Sequence, residues 1–303
     1  AVRRRERGRR PAAVGEAEVV GASLRRLEGR VLALTRSVQR LRLGLGPSDP
    51  SPTAVVTTPA YESARPRVSV IIGLCDRRDL VTEALGSAAD SIGAPFEIVL
   101  QDDGSTDGSF DAVRRFMDEH PDLPMIAVRR ELNQGPSATR SDLVERARAD
   151  YLFGLDADAG VYPACLARLA GALDADPDAA LAHCIVADRR DGEIVWTTAF
   201  EGWGPGRFRE GNCIGAMAML RRGALERVGG RAASMAFGGG DSDLRARPAE
   251  AGERAVFVPQ VLAWRRMSDA SMIMGPRVDE AGPRSRIRPG APALTADRTS
   301  KEC

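Results

Sequence analysis

Cysteine is sparse in this 303-residue chain and poorly placed for cross-linking: Cys75, Cys165, Cys184, Cys213 and Cys303 are odd in number, widely spaced and without a CxxC pair. That argues against a disulfide framework and a zinc site, and fits a reducing compartment. Net charge is almost absent too, since 43 basic residues against 42 acidic ones leave +1. No global field recommends nucleic acid or membrane as a partner. Long apolar runs are missing: nothing approaches the ~20 residues needed to span a bilayer, and no signal-peptide hydrophobic region follows the arginine-rich start. The expectation is a cytoplasmic protein, with peripheral membrane contact left open.

What is present is apolar material, 43% of residues, enough to bury one large α/β domain with appendages. Residues 1–14 begin "AVRRRERGRR" and are expected to be a basic, flexible arm. Over 15–46, Val20, Leu24, Leu27, Val31, Leu34, Val38 and Leu41 recur at alternating spacings of three and four, a heptad seam that Gly44, Gly46 and Pro47 end. It serves either one amphipathic helix lying against the body or a coiled coil that makes a homodimer. Residues 47–65, rich in Pro, Ser and Thr, are expected to be an extended linker, and 275–303, with no apolar period, a disordered or draped tail.

Between them the period changes. "RVSVIIGL", "FEIVLQ", "MIAVRR" and "YLFGL" are short, β-branched and apolar, and helical spacing fills 79–90, 107–119, 136–148 and 163–174. Strand followed by helix, repeated, implies a mostly parallel sheet flanked by helices, whose ligands gather at the carboxyl ends of the strands.

The unusual residues fall at those ends. The first strand runs into Asp76, the second into Asp102 and Asp103 of "QDDGSTDGS", and the fourth into Asp156 and Asp158 of "LDADAG". Ionised carboxylates cannot be buried without partners. A divalent cation together with sugar or base hydroxyls would supply them, and oxygen-only ligation suits Mg2+ or Mn2+.

Taken in order, "VSVIIGLCDR", "QDDGSTDGS", "NQGPSATR", "LDADAG", "GNCIGAMAMLRRGALERVGG" and "GGGDSDLRAR" make residues 66 to about 270 resemble the inverting family 2 glycosyltransferases of the GT-A fold. The resemblance implies a nucleotide-sugar-binding half over 66–160 and an acceptor-binding half over 161–274. It implies that Asp76 and Asp103 contact base and ribose of a nucleoside-diphosphate sugar, with Asp102 shaping that pocket. Arg140 would lie near the diphosphate. Asp156 and Asp158 would bind the metal, Asp158 the more directly, and Asp241 would be the general base, with Asp243 as its competitor. The acceptor could be a glycan, lipid, natural product or peptide.

The chain departs from the family pattern at Gly240, where a Glu is usual, at Ala159, where many members carry another Asp, and in "VLAWRRMSD", which has no His. His120 and His183 lie far from every motif, so metal binding would rest on carboxylates, diphosphate and water. Two other readings share these features: a nucleotidyltransferase, against which stands the acidic, glycine-poor "GLCDRRDL" after the first strand, and an inactive scaffold acting through its first helix.

Overall fold

The structure, a computed structural model, describes residues 52–200, 217–227, 252–267 and 284–287. The basic arm, the helix expected over 15–46, Asp241, Asp243, Cys213 and Cys303 lie outside the described residues. Residues 1–50 count as one unit and 51–303 as another.

The alternation of strand and helix is realised at the expected places. In chain order come β1 (Ala54–Thr57), β2 (Val68–Leu74), α1 (Arg78–Ala89), β3 (Phe96–Asp103), α2 (Ser109–Glu119), β4 (Met125–Arg130), α3 (Pro136–Arg146), β5 (Tyr151–Gly154) and β6 (Ala159–Val161). They are followed by α4 (Cys165–Ala175), β7 (Ala179–Arg190), β8 (Glu193–Phe200), β9 (Ala218–Arg221), α5 (Arg222–Arg227), β10 (Arg254–Arg266) and β11 (Arg284–Ile287). One sheet runs β1-β4-β3-β2-β5-β9-β7-β10-β6, with β8 and β11 extending from β7. Strands β4, β3, β2 and β5 are mutually parallel, while β1, β6 and β9 pair antiparallel with their neighbours.

Burial on both faces explains why these strands are continuous apolar runs rather than alternating ones. Val70, Ile72, Ile98, Leu100 and Met125 point into one cluster with Leu85 of α1, Phe110, Val113 and Phe116 of α2, and Leu166, Leu169 and Leu173 of α4. Their strand neighbours Ile71, Val99, Ile126 and Val128 face the other way, against Leu143 and Val144 of α3 and Leu225 of α5. Period-2 alternation thus splits each strand between two helical layers.

Two expectations change. Within the stretch expected to be a linker, the described residues are not a free extended chain: Ala54–Thr57 pair with β4, from Ala54↔Arg129 to Thr57↔Ile126, which makes β1 the sheet's edge, and 59–63 turn. Val56 is β-branched, as strands prefer, and packs against the core. In the tail, Arg284–Ile287 pair antiparallel with β8. The 160/161 boundary between the two expected halves falls inside β6, which bonds to β10, so the sheet is continuous across it.

Candidate active site

From β2 the chain moves outward to β3 and β4, then returns to place β5 on the other side of β2. The order reverses between β2 and β5, and a crevice opens outside the carboxyl ends of two strands whose connections leave in opposite directions. A cavity of about 190 Å³ lies there, lined by residues that include Gly73, Leu74 and Cys75 after β2, Asp103 from β3, Asn133, Thr139 and Arg140 from the start of α3, and Leu155 and Asp156 after β5. Asp103, Arg140 and Asp156, expected from separate segments, meet in this cavity. Asp76, Asp102 and Asp158 are not among its lining residues.

The carboxylates after β3 find their partners in the protein itself. Asp103 Oδ1 accepts a hydrogen bond from Gln134 N–H at 2.9 Å and Oδ2 one from Gly135 N–H at 2.8 Å, and the Arg130 guanidinium stands 3.5 Å away. A carboxylate offers about four lone-pair positions, so Asp103 orders the entrance to α3 with capacity to spare. Gly135, at φ 91°, makes the turn that Pro136 continues as the first helical residue. Asp102, one residue earlier and on the opposite face, is fully buried. Its Oδ1 accepts from the backbone and hydroxyl of Ser105, and Arg129 lies 3.5 Å from Oδ2. Burial pushes the Asp102 carboxyl up from its ordinary value, and the Ser105 hydrogen bonds and Arg129 oppose that. Gly104 is required: at φ 75°, a Cβ there would sit 2.8 Å from Asn133 N.

The β2–α1 and β3–α2 loops are stitched to each other. Asp76 N–H donates to Ser105 Oγ at 2.9 Å, and Asp76 Oδ1 accepts from Thr106 N–H at 2.8 Å. Asp76 holds a left-handed φ of 49°, a conformation that Asp tolerates better than most residues. Asp107 accepts from Ser109 N–H at the start of α2 and from Arg78 N–H at the start of α1, so one carboxylate caps two helices. Burial raises the Asp107 carboxyl, but the Ser109 hydroxyl and these backbone donors outweigh it and hold it below the usual range.

The turn after β5 is built differently. Leu155, Ala157 and Ala159 are buried while Asp156 and Asp158 are half-exposed, so the one-residue spacing turns both carboxylates away from the core. The turn closes with Ala159 N–H donating to Asp156 O at 3.0 Å. β6 then packs so tightly on β10 that a Cβ on Gly160 would lie 2.3 Å from the Trp264 ring. Each carboxylate has an arginine nearby. Arg77 Nε is 3.6 Å from Asp158 Oδ2. Arg140 feels Asp156: burial lowers the guanidinium's proton affinity and Asp156 partly restores it.

Among the described residues no group of three or more His, Cys, Asp or Glu forms a metal cluster. Two half-exposed carboxylates still suit Mg2+, which is commonly held by one or two carboxylates plus substrate phosphates and water. Arg265 and Arg266, in the stretch where family members often carry a histidine, pair with Asp188 and Glu83. His183 is buried in β7 beside Phe257, and burial drives its pKa down to about 4.

Several residues of the site escaped the sequence reading. Cys75 lines the cavity, its thiol pushed up to about 11 by burial and then by Asp76, and accepts a contact from Asn133 Nδ2 at 3.1 Å. Arg77, Ser105, Arg129 and Arg130 all act on the named carboxylates, and Asp107 ties the loop that carries Ser105 to the start of α1. The sequence offered two signals for them: paired arginines ending an otherwise apolar strand, and the Ser-Thr-Asp turn of "DDGSTDGS", which suits a helix cap.

Fold and crevice together define an α/β protein of GT-A architecture. Residues 69–229, just over half of the chain, match the family described as glycosyl transferase family 2, and the chain belongs to that family. Curated relatives include an undecaprenyl-phosphate 4-deoxy-4-formamido-L-arabinose transferase of Edwardsiella ictaluri, 33% identical over 127 residues, 41% of this chain and 38% of that protein. A poly(ribitol-phosphate) beta-glucosyltransferase of Bacillus spizizenii is 28% identical over 95 residues, 30% of this chain and 15% of that one. The chain therefore spans well under half the length of these relatives. Among solved structures, S. aureus TarS residues 1–349 with UDP-GlcNAc gives a TM-score of 0.56 at 18% identity, covering 70% of this chain and 62% of that one. A Pyrobaculum calidifontis mannosyltransferase with GDP-Man and Mn2+ gives 0.51 at 24% identity, covering 81% and 67%. At these identities the likeness is one of fold.

Proposed function

We propose that the chain is a metal-dependent inverting glycosyltransferase that moves one sugar from a nucleoside-diphosphate donor to an acceptor hydroxyl. The observation that carries this reading is the convergence of Asp103, Arg140 and Asp156 on one cavity at the β2/β5 reversal. Family membership supports it, as do the transferase names of the relatives and the sugar nucleotides bound in the two structural neighbours.

In this reading Asp103 keeps a free lone pair for the nucleoside while its other contacts hold the α3 entrance. Asp76 and Asp102 shape that end of the pocket through Thr106 and Ser105. Arg140 lies on the diphosphate side. Asp156 and Asp158 would hold Mg2+ or Mn2+, which when bound neutralises charge growing on the leaving diphosphate. The base that takes the acceptor's proton is assigned to Asp241 by its place in "GGGDSDLRAR", outside the described residues; direct displacement with such a base inverts the anomeric centre. Polyol-phosphate polymers, which carry free hydroxyls, are an acceptor class suggested by one relative's name.

A screen of UDP- and GDP-sugars for slow hydrolysis with Mn2+ tests the donor. Release of nucleoside diphosphate from one sugar nucleotide, lost in Asp158→Ala, is the expected result; no release and no binding of any sugar nucleotide would remove the proposal.

A further inference from the structure

We propose that Arg130 is a positioning residue for the donor cavity, one that holds Asp103 and helix α3 in register behind the cavity wall. The inference rests on the donor reading above. Arg130 ends β4 directly across the ladder from Asp103. Its side chain is 4% exposed and is not among the residues that line the cavity. Nη1 lies 3.5 Å from Asp103 Oδ1, and Nη2 donates to Asp142 Oδ2 on α3.

Burying a guanidinium is costly unless its donors are paired. Here the fork spans two carboxylates, yet Nε is buried without a hydrogen-bond partner. The compensation is incomplete, so what this group supplies is placement more than stability. Asp103 grips the backbone of Gln134 and Gly135 at the entrance to α3, and Asp142 lies six residues into the helix from Pro136. One cation therefore ties the helix down at two points along its length. Between them stand Thr139 and Arg140, which face the cavity. Gly73 on β2 approaches Thr139 so closely that an added Cβ would lie 3.2 Å from its methyl, so a small slide of α3 would meet the strand. Without Arg130, Asp103 and Asp142 would be left as neighbouring negative charges with no shared counter-ion. A lysine could satisfy one of the two carboxylates; its point charge cannot bridge both.

The test measures the affinity of the 303-residue wild-type chain, Arg130→Met and Arg130→Lys for UDP and GDP by calorimetry in the presence of Mn2+, beside thermal unfolding of each apo protein. Arg130→Met is expected to bind the preferred diphosphate roughly tenfold or more weakly at temperatures where it is folded. Arg130→Lys is expected to regain most of the unfolding temperature yet stay about threefold or more weaker in binding. A purely structural arginine would lower the unfolding temperature and leave the affinity of the folded protein unchanged, and that result overturns the inference. If Arg130→Met does not fold, Asp142→Asn decides: weaker diphosphate binding supports the role, and wild-type affinity removes it. Wild type that binds neither diphosphate sinks the donor reading itself, and this inference with it.

Discussion

Asp103 and Asp158 belong to the same rim of the same sheet and are held in opposite ways. The Asp103 side chain is 5% exposed and has two backbone N–H donors and a buried arginine; that of Asp158 is 44% exposed and has one arginine at 3.6 Å. Asp102 and Asp107 side with Asp103: serine hydroxyls and loop amides take up Asp102 Oδ1 and both Asp107 oxygens, and Arg129 stands 3.5 Å from Asp102 Oδ2. Strand-end carboxylates therefore do two jobs. Those after β3 replace water with fixed dipoles and order the loops that wall the cavity. Asp158, after β5, stays half-exposed with an arginine at 3.6 Å, which in the proposed reading leaves it able to take a cation.

The sharpest way to break that comparison is to neutralise one member of each set. Asp103→Asn leaves Arg130 buried with a single partner and weakens the α3 entrance, so unfolding by denaturant should show a loss on the order of 3 kcal/mol. Asp158→Ala should change stability by less than about 1 kcal/mol while abolishing Mn2+-dependent donor binding in calorimetry. Equal stability losses would erase the distinction.

Acidity must be controlled in that experiment because of His183. Its folded pKa of about 4 lies below the unfolded value of 6.5, so the unfolded chain binds the proton first as pH falls. The neutral form's stabilisation is complete above about pH 6.5 and is lost toward pH 4, on the order of 3 kcal/mol in all. His183→Leu should flatten that part of the stability-against-pH curve; an unchanged slope would show that the loss comes from other groups.

Gly160→Ala probes how rigidly the β5 turn is seated. With the Trp264 ring in the way of the new Cβ, overpacking should cost about 1–3 kcal/mol and weaken Mn2+ binding at the adjacent Asp158. A normal unfolding temperature would mean that the turn yields freely. The smallest effect is expected from Arg77→Gln. Losing a half-exposed ion pair costs under about 1 kcal/mol, and freeing Asp158 should raise Mn2+ affinity about threefold at low salt. Weaker Mn2+ binding would instead make Arg77 a partner of the site.

Much of this was legible before any coordinates. "VSVIIGL" and "FEIVLQDD" announce strands buried on both sides because apolar residues fill both parities of each run, with Ser69, Glu97 and Gln101 the polar exceptions ahead of Asp102 and Asp103. Helix α2 shows itself through Phe110, Val113, Phe116 and Met117 on one face. The strand in 54–57 was missed because four residues between prolines carry too short a pattern, and its pairing with β4 is a long-range event. Arg130 was missed for a related reason. Nothing in "MIAVRR" tells that the first arginine will face Asp102 and the next one Asp103; that depends on which residues oppose each other across the ladder.

The order of apolar runs, turn glycines and acidic strand ends determined the layered fold and the edge of the sheet where polar groups would collect, because burial periodicity and backbone sterics act locally along the chain. Tertiary structure alone decided which carboxylate is locked and which stays open. That outcome depends on loops separated by up to about thirty residues donating their amides across a gap, and hydrogen bonds of that kind exist only once the sheet has brought the loops together.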